Sequence, residues 1–248
     1  MPCPILEESP LRFARLVIPG WPHHVLQRGN RKSDIFGDDS DRLVYMRLIR
    51  TASEKHRTAI YEYTLMDNHV HHIMVPERED SLSKTIKEAH EEYTRYLNTK
   101  YGLVGHAWQG RFKSFPMDWE YYVNAVRYVL QNPVRAGLVL RAEDYLWSSA
   151  AARCGLRDDS LITNHPLVNE IPNWSEWLKI EDAKANELIR RNTRTGRPLG
   201  SHEFLRRLEH QTGRTLLPRR RGPRPHRKSS PIAGNDENQK PGIRSLFG

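Results

Sequence analysis

Asn68-His69-Val70-His71-His72 and, further along the chain, Tyr128 and Asn132 supply two imidazoles, a phenol and an amide, a set able to hold a divalent ion beside a nucleophile. On an extended strand successive side chains alternate faces, so His69 and His71 project on one side, roughly 6.5 to 7 Å apart, and can share one ion. His72 points to the opposite face with Val70 and Met74 and is not expected to be a third ligand. With 12 histidines in the chain, a His-x-His arises by chance about 0.6 times per such sequence, so the pair needs company. The sequence offers no cysteine pair and no His-Glu-x-x-His helix as zinc partners. An oxygen-preferring ion whose shell is completed by substrate phosphates suits two imidazoles better.

The company comes from a helical segment. Tyr128 and Asn132 are i and i+4 and share a face, with Tyr121 and Asn124 along the same side and away from Val126 and Val129. Pro133 disfavours helix at Asn132, so the helix is expected to end there with its amide at a mouth. An exposed tyrosine beside that amide could act as nucleophile and metal ligand; taken alone, such a tyrosine is more often a packed amphipathic residue.

The elements that must position these groups alternate between strand and helix. Residues 24–28 read as a strand leading into the basic turn Arg28-Gly29-Asn30-Arg31. Residues 40–56 read as a helix with Leu43, Val44, Leu48 and Ala52 on one face. Residues 59–66 and 69–75 form a hairpin about Asp67-Asn68, closed by Pro76. A second helix spans residues 81–98, with Leu82, Ile86, Ala89, Tyr93 and Tyr96 or Leu97 at helical spacing. A third follows Asp118 to about residue 131 and buries Tyr122, Val126 and Val129. This mixture with a central hairpin predicts an α+β sandwich, not a doubly wound parallel sheet.

Composition narrows the classes. The 248 residues include 38% hydrophobic residues, and no run approaches the ~18 apolar residues of a membrane span. Acids in the opening MPCPILEESP argue against a secretory signal, and Cys3 and Cys154 are too few for a disulfide scaffold; a reducing cytoplasm is the expected setting. The net charge of +9 is localised. Residues 190–228 hold 13 basic side chains against Glu203 and Glu209, which leaves the remainder slightly acidic. Such a tract suggests a polyanion partner, the bland alternative being a solvated run. Trp174, Trp177, Leu178, Ala185 and Leu188 after Asn173, and Phe204, Leu205 and Leu208 after Ser201, mark helices in a small C-terminal extension. Pro218 opens a Pro-, Gly-, Arg- and Ser-rich stretch too polar to fold. The expected organisation is a domain over residues 12–153, a helical extension over 154–217 and a disordered basic tail over 218–248.

Several blocks, in order, resemble the single-tyrosine HUH transposases, in particular the REP-associated tyrosine transposases of bacteria. They are Arg28-Gly29-Asn30, Met66-Asp67-Asn68-His69-Val70-His71, Tyr93-Thr94-Arg95-Tyr96-Leu97-Asn98, Trp108-Gln109-Gly110-Arg111-Phe112-Lys113-Ser114, the run from Arg127 to Val139, and Trp147-Ser148-Ser149. The run from Thr193 to Gly200 is similar to an extension found in many members. Asp67 stands where proline is common and His72 where an aliphatic residue is usual.

The resemblance implies a ferredoxin-like antiparallel sheet bearing His69 and His71 as metal ligands, a helix presenting Tyr128 as the nucleophile, and Asn132 as a further ligand. The implied cofactor is Mg²⁺ or Mn²⁺. The implied activity is nicking and strand transfer on single-stranded, hairpin-associated DNA through a 5′-phosphotyrosine. Arg28, Arg31, Arg111, Lys113 and Arg135 are the candidate phosphate contacts; Trp108 and Phe112 either stack on bases or pack in the core. The basic tract would add salt-dependent, sequence-independent affinity. The expected location is the bacterial cytoplasm, on the nucleoid when DNA is bound, with no membrane partner; homodimerisation is left open. Two other classes are a domesticated hairpin-DNA-binding regulator with little cleavage, and an RNA-binding sheet using Tyr61 and Tyr63.

Overall fold

The structure, a computed structural model, describes residues 15–217. The expected basic tail, residues 218–248, lies outside them. In chain order come β1 (His23–Arg28), α1 (Asp39–Lys55), β2 (Thr58–Met66), β3 (His69–Pro76), α2 (Ser81–Tyr101) and β4 (Lys113–Pro116). The strands form one antiparallel sheet in the order β2-β3-β1-β4. This is the ferredoxin-like arrangement. After it follow α3 (Trp119–Leu130), α4 (Asn132–Arg135), α5 (Ala150–Arg153), α6 (Leu167–Glu170), α7 (Trp174–Leu178), α8 (Ala183–Thr195) and α9 (His202–Thr212).

Strand alternation divides the core in two. Val70 and Met74 of β3, with Val25, Tyr63 and Leu65, pack against Tyr45 and Ile49 of α1 and Leu82, Ile86 and Tyr93 of α2. On the other face Ile73 packs with Tyr122, Val126 and Val129 of α3. His72 lies on the α1 side, fully buried, its Nε2 3.0 Å from the Tyr45 hydroxyl; that hydroxyl is also 3.1 Å from Nε2 of His90.

The buried face of α1 differs from the expected one. Tyr45, Ile49 and Ala52 are buried, whereas Leu43 is 60% exposed. The two histidines satisfy the Tyr45 hydroxyl, so the larger aromatic ring can go inside at no polar cost. Asp41, beside it, is buried because Lys100, Tyr96 and Tyr101 all donate to its carboxylate. β4 is a strand that hydrophobic alternation does not reveal. It has four residues and ends in Pro116, as an edge strand can.

The other edge, β2, is covered by later chain. The Leu65 amide donates to the Trp147 carbonyl (2.9 Å), the Ser149 amide to the Tyr63 carbonyl (3.1 Å) and the Thr163 amide to the Ile60 carbonyl (2.7 Å). At the irregularity in β2, Glu62 is fully buried. Its Oε1 accepts from Nε of Arg153 and lies against Nε2 of His165, both at 2.7 Å, and its Oε2 accepts from the Ser149 hydroxyl at 2.5 Å. Removing one member of a buried ionic cluster strands the others without solvent. Glu62→Gln is therefore expected to cost about 3–5 kcal/mol in urea unfolding, and a loss under about 1 kcal/mol would show that the cluster is solvated.

The C-terminal segment packs on the tyrosine helix itself. Leu167, Trp174, Leu178, Ile189 and Leu199 share a core with Tyr122, Val126 and Val129. Asp118 serves both parts: its carboxylate caps α3 through the Tyr121 amide (3.0 Å) and accepts from the Ser201 amide (2.7 Å). The helical pattern after Asn173 is broken into α7 and α8, because Asp182 caps a new helix through the Ala185 amide (2.9 Å).

Candidate active site

His69 and His71 sit on the same face of β3, with ring centroids 5.0 Å apart and planes at 78°. His69 is partly exposed and its Nδ1 lies 2.6 Å from Oδ1 of Asn68 in the hairpin turn. His71 is buried, and its Nδ1 is 2.8 Å from Nε2 of His24 on β1. Antiparallel pairing sets this up, since Leu26 faces His71 and His24, two residues earlier, lies on the same side. Burial lowers the basicity of all three rings. His69 falls to about 4, helped by the nearby Arg28 charge; His24 falls to about 4; His71 is held well below its ordinary value by burial, with His24, His69 and Arg135 adding to the effect. The imidazoles are therefore neutral near pH 7 and ready to act as ligands without losing a proton.

Across from them, α3 brings the Tyr128 ring to 6.1 Å from that of His71 and 6.0 Å from that of His24, both edge-on. The helix is tied to the sheet by the Thr64 hydroxyl, which donates to the Val129 carbonyl at 2.9 Å. Tyr128 is more enclosed than its helical position predicts, at 9% exposed, because the C-terminal segment and Arg135 close over it. The Arg135 guanidinium lies 4.3 Å from the ring centroid, and its Nη2 donates to the Tyr128 carbonyl (2.6 Å) and to Oδ1 of Asn132 (3.0 Å). Burial depresses the basicity of Arg135, and the nearby Tyr128 acts the other way.

The tyrosine helix ends just before Asn132, as Pro133 leads one to expect, but a new short helix begins there. α3 ends at Leu130, and α4 continues with Pro133 in its first turn, where a missing N–H costs nothing. Asn132 thus starts a new turn, and its Nδ2 is buried without a partner. Among the described residues no group of three or more His, Cys, Asp and Glu side chains is arranged to hold a metal. Two neutral imidazoles on one strand face fit an ion that takes its remaining ligands from a substrate; the Asn132 atom able to ligate is Oδ1, which here accepts from Arg135, while the unpartnered Nδ2 is a donor.

The other candidates are spread over the molecule. Arg28 is exposed next to His69. Arg31 is exposed in the following turn with φ 52°, adjoining Lys32 at φ 64°. Gly29 is required there because a Cβ would lie 2.2 Å from the Ser33 carbonyl oxygen. Arg111 and Lys113 are exposed, the latter donating to the Thr193 carbonyl (3.2 Å). Trp108 and Phe112 lie in the α1–α2 core. His90 stacks on Trp108 at 3.9 Å and Arg15 covers Phe112 at 3.7 Å, so core packing rather than base stacking describes them. Asp67 forms an ion pair with Arg42, which turns its charge to structural use. His24 was not legible as a site residue: its signal is a strand pairing, β1 with β3, that local sequence does not encode.

Residues 20–132 match the family model described as "Transposase IS200 like". Over that segment the chain is similar to the IS200-like transposases. The matched segment holds the whole sheet and ends at Asn132, so it contains both histidines and Tyr128. The fold is also that of a solved REP associated tyrosine transposase bound to a REP hairpin, at 20% identity and a TM-score of 0.51, covering 62% of this chain and 98% of that one. No curated protein matches the chain. Among the described residues no helix is long and apolar enough to cross a membrane.

Proposed function

We propose that this protein is an IS200-like transposase that nicks and rejoins single-stranded DNA next to a hairpin, through a covalent bond between Tyr128 and a 5′ phosphate. The observation that carries this is the meeting of Tyr128 with His71, at 6.1 Å between rings, from two segments distant in sequence. The family match and the fold shared with a hairpin-bound relative support it.

A DNA phosphodiester resists attack because its charge repels nucleophiles and its alkoxide leaves poorly. A divalent ion, Mg²⁺ or Mn²⁺, held by His69, His71 and Asn132 would polarise the scissile phosphate and offset charge on its oxygens. The residues of the chain supply the rest. Tyr128 presents its phenol from a helix pinned to the sheet, so the attacking oxygen is held in place. The Arg135 guanidinium lies over the ring, and the phenol gives up its proton to water as its oxygen attacks. A bond forms between that oxygen and phosphorus while the bond to the 3′ oxygen breaks, and the 3′ oxygen takes up a proton. The phosphotyrosine ester conserves the bond energy, so a 3′ hydroxyl can attack it and rejoin strands without ATP. Arg28 and Arg31 border the histidine side of the site, and both are exposed for phosphate contacts.

Incubation of labelled hairpin DNA bearing unpaired flanks with the protein and Mn²⁺ is expected to give an adduct that survives denaturation and disappears with chelator. Binding without adduct across a broad set of hairpins would instead identify a DNA-binding regulator. Competition by RNA as strong as by DNA, unaffected by chelator, would identify an RNA-binding sheet.

A further inference from the structure

The two histidines of β3 are oriented by different partners. Oδ1 of Asn68 can only accept, so the 2.6 Å contact makes Nδ1 of His69 the donor and leaves the Nε2 lone pair free. His71 has no such acceptor. Its Nδ1 meets Nε2 of His24 at 2.8 Å, and both rings are buried. One proton is shared in that contact, and its owner decides what His71 can do. If His24 donates, a neutral His71 must carry its own proton on Nε2 and cannot ligate. If His71 donates, its Nε2 is free and His24 keeps its proton on Nδ1, a buried atom with no partner.

We infer that His24 is a positioning residue that accepts from Nδ1 of His71 and thereby holds the Nε2 lone pair of His71 ready for the ion shared with His69. This rests on the proposed metal-dependent function. Metal-binding imidazoles are normally fixed this way through their second nitrogen. The placement of His24 fits the role. β1 lies between β3 and β4, so the residue sits opposite Ile73 on one side and Phe115 on the other, in the middle of the sheet. Its ring is nearly parallel to that of His71, at 14°, and edge-on to Tyr128. It thus fixes the His71 ring plane while forming the wall behind the nucleophile. A histidine that merely filled core volume would serve equally well as phenylalanine, and that difference can be measured.

In the metal-free protein, imidazole ¹⁵N NMR is expected to find His71 protonated on Nδ1. Protonation on Nε2 would overturn the assignment, whatever the variants do. His24→Phe fills the space but cannot accept, and Mn²⁺ affinity measured by electron paramagnetic resonance should fall about 10–100-fold. His24→Gln places an amide oxygen near the former Nε2 and should restore affinity to within about threefold of the parent, given the 1.4 kcal/mol that a tenfold change represents. Equal Mn²⁺ affinity in His24→Phe and the parent would also overturn the assignment. His69→Ala and His71→Ala separate the two levels. If both abolish Mn²⁺ binding while His24→Phe does not, only the role of His24 fails; if neither changes binding, the metal site itself fails. Melting curves of each variant report whether it is folded, and the NMR measurement on the parent protein stands independently of them.

Discussion

Tyr128→Phe is expected to reduce covalent adduct by at least roughly a thousandfold while leaving hairpin binding within about twofold. The change removes one oxygen and keeps the ring, so its edge contacts with His24 and His71 and the Arg135 guanidinium over its face are retained. The hydrophobic contacts of the ring with α3 neighbours and the C-terminal segment are likewise unchanged. Loss of the reaction without loss of binding is the signature of a nucleophile, because such a group contributes only once the bond to phosphorus begins to form. Neighbouring tyrosines do not offer a ready substitute. Tyr122 is fully buried against Tyr61, Trp119 and His165, and Tyr121 lies two turns earlier in the helix. Gel retardation and denaturing gels on the same DNA measure the two quantities. Adduct at parental levels from the variant would remove Tyr128 from the chemistry.

Acid should unfold this protein steeply. His23, His24 and His72 are buried without a net charge partner, and burial lowers their pKa from the ordinary 6.5 to about 4, about 4 and about 3. Above about pH 6.5 these rings are neutral in both folded and unfolded chains and contribute no pH dependence. Between 6.5 and about 4 the unfolded chain binds protons that the folded one refuses, so stability falls as pH falls. Each ring then costs up to about 1.4 kcal/mol per pH unit, and the three together roughly 4. Against a typical stability of about 5–15 kcal/mol, a cooperative loss of structure is expected near pH 5. The six tryptophans make fluorescence a convenient probe, alongside circular dichroism. A stability that stays flat from pH 7 to 5 would mean that these imidazoles are solvated or already charged.

The histidine hairpin was legible because strand alternation is local: β2, β3 and the turn at Asp67-Asn68 appear within two residues of the expected positions. The same holds for the tyrosine helix, whose N-cap Asp118 and apolar positions Tyr122, Val126 and Val129 are encoded next to one another. What failed to read were properties set by distant partners. The enclosure of Tyr128 depends on the segment that supplies Trp174, Ile189 and Leu199, far along the chain. The inward turn of Tyr45 depends on two histidines from other elements, which hydropathy alone ranks below Leu43. β4 is too short to show a period, and it exists because β1 offers it an edge. His24 belongs with these, since its neighbour in space is 47 residues away.

The site of the covalent bond is the most direct measure of the central claim. Adduct formed on hairpin DNA with Mn²⁺, digested with nuclease and trypsin and mapped by mass spectrometry, is expected to carry its nucleotide on the peptide of residues 128–135, which begins at Tyr128 and contains no other tyrosine. A nucleotide on the preceding peptide, residues 114–127, which holds Tyr121 and Tyr122, or on any other segment, would contradict the assignment of Tyr128 as the nucleophile.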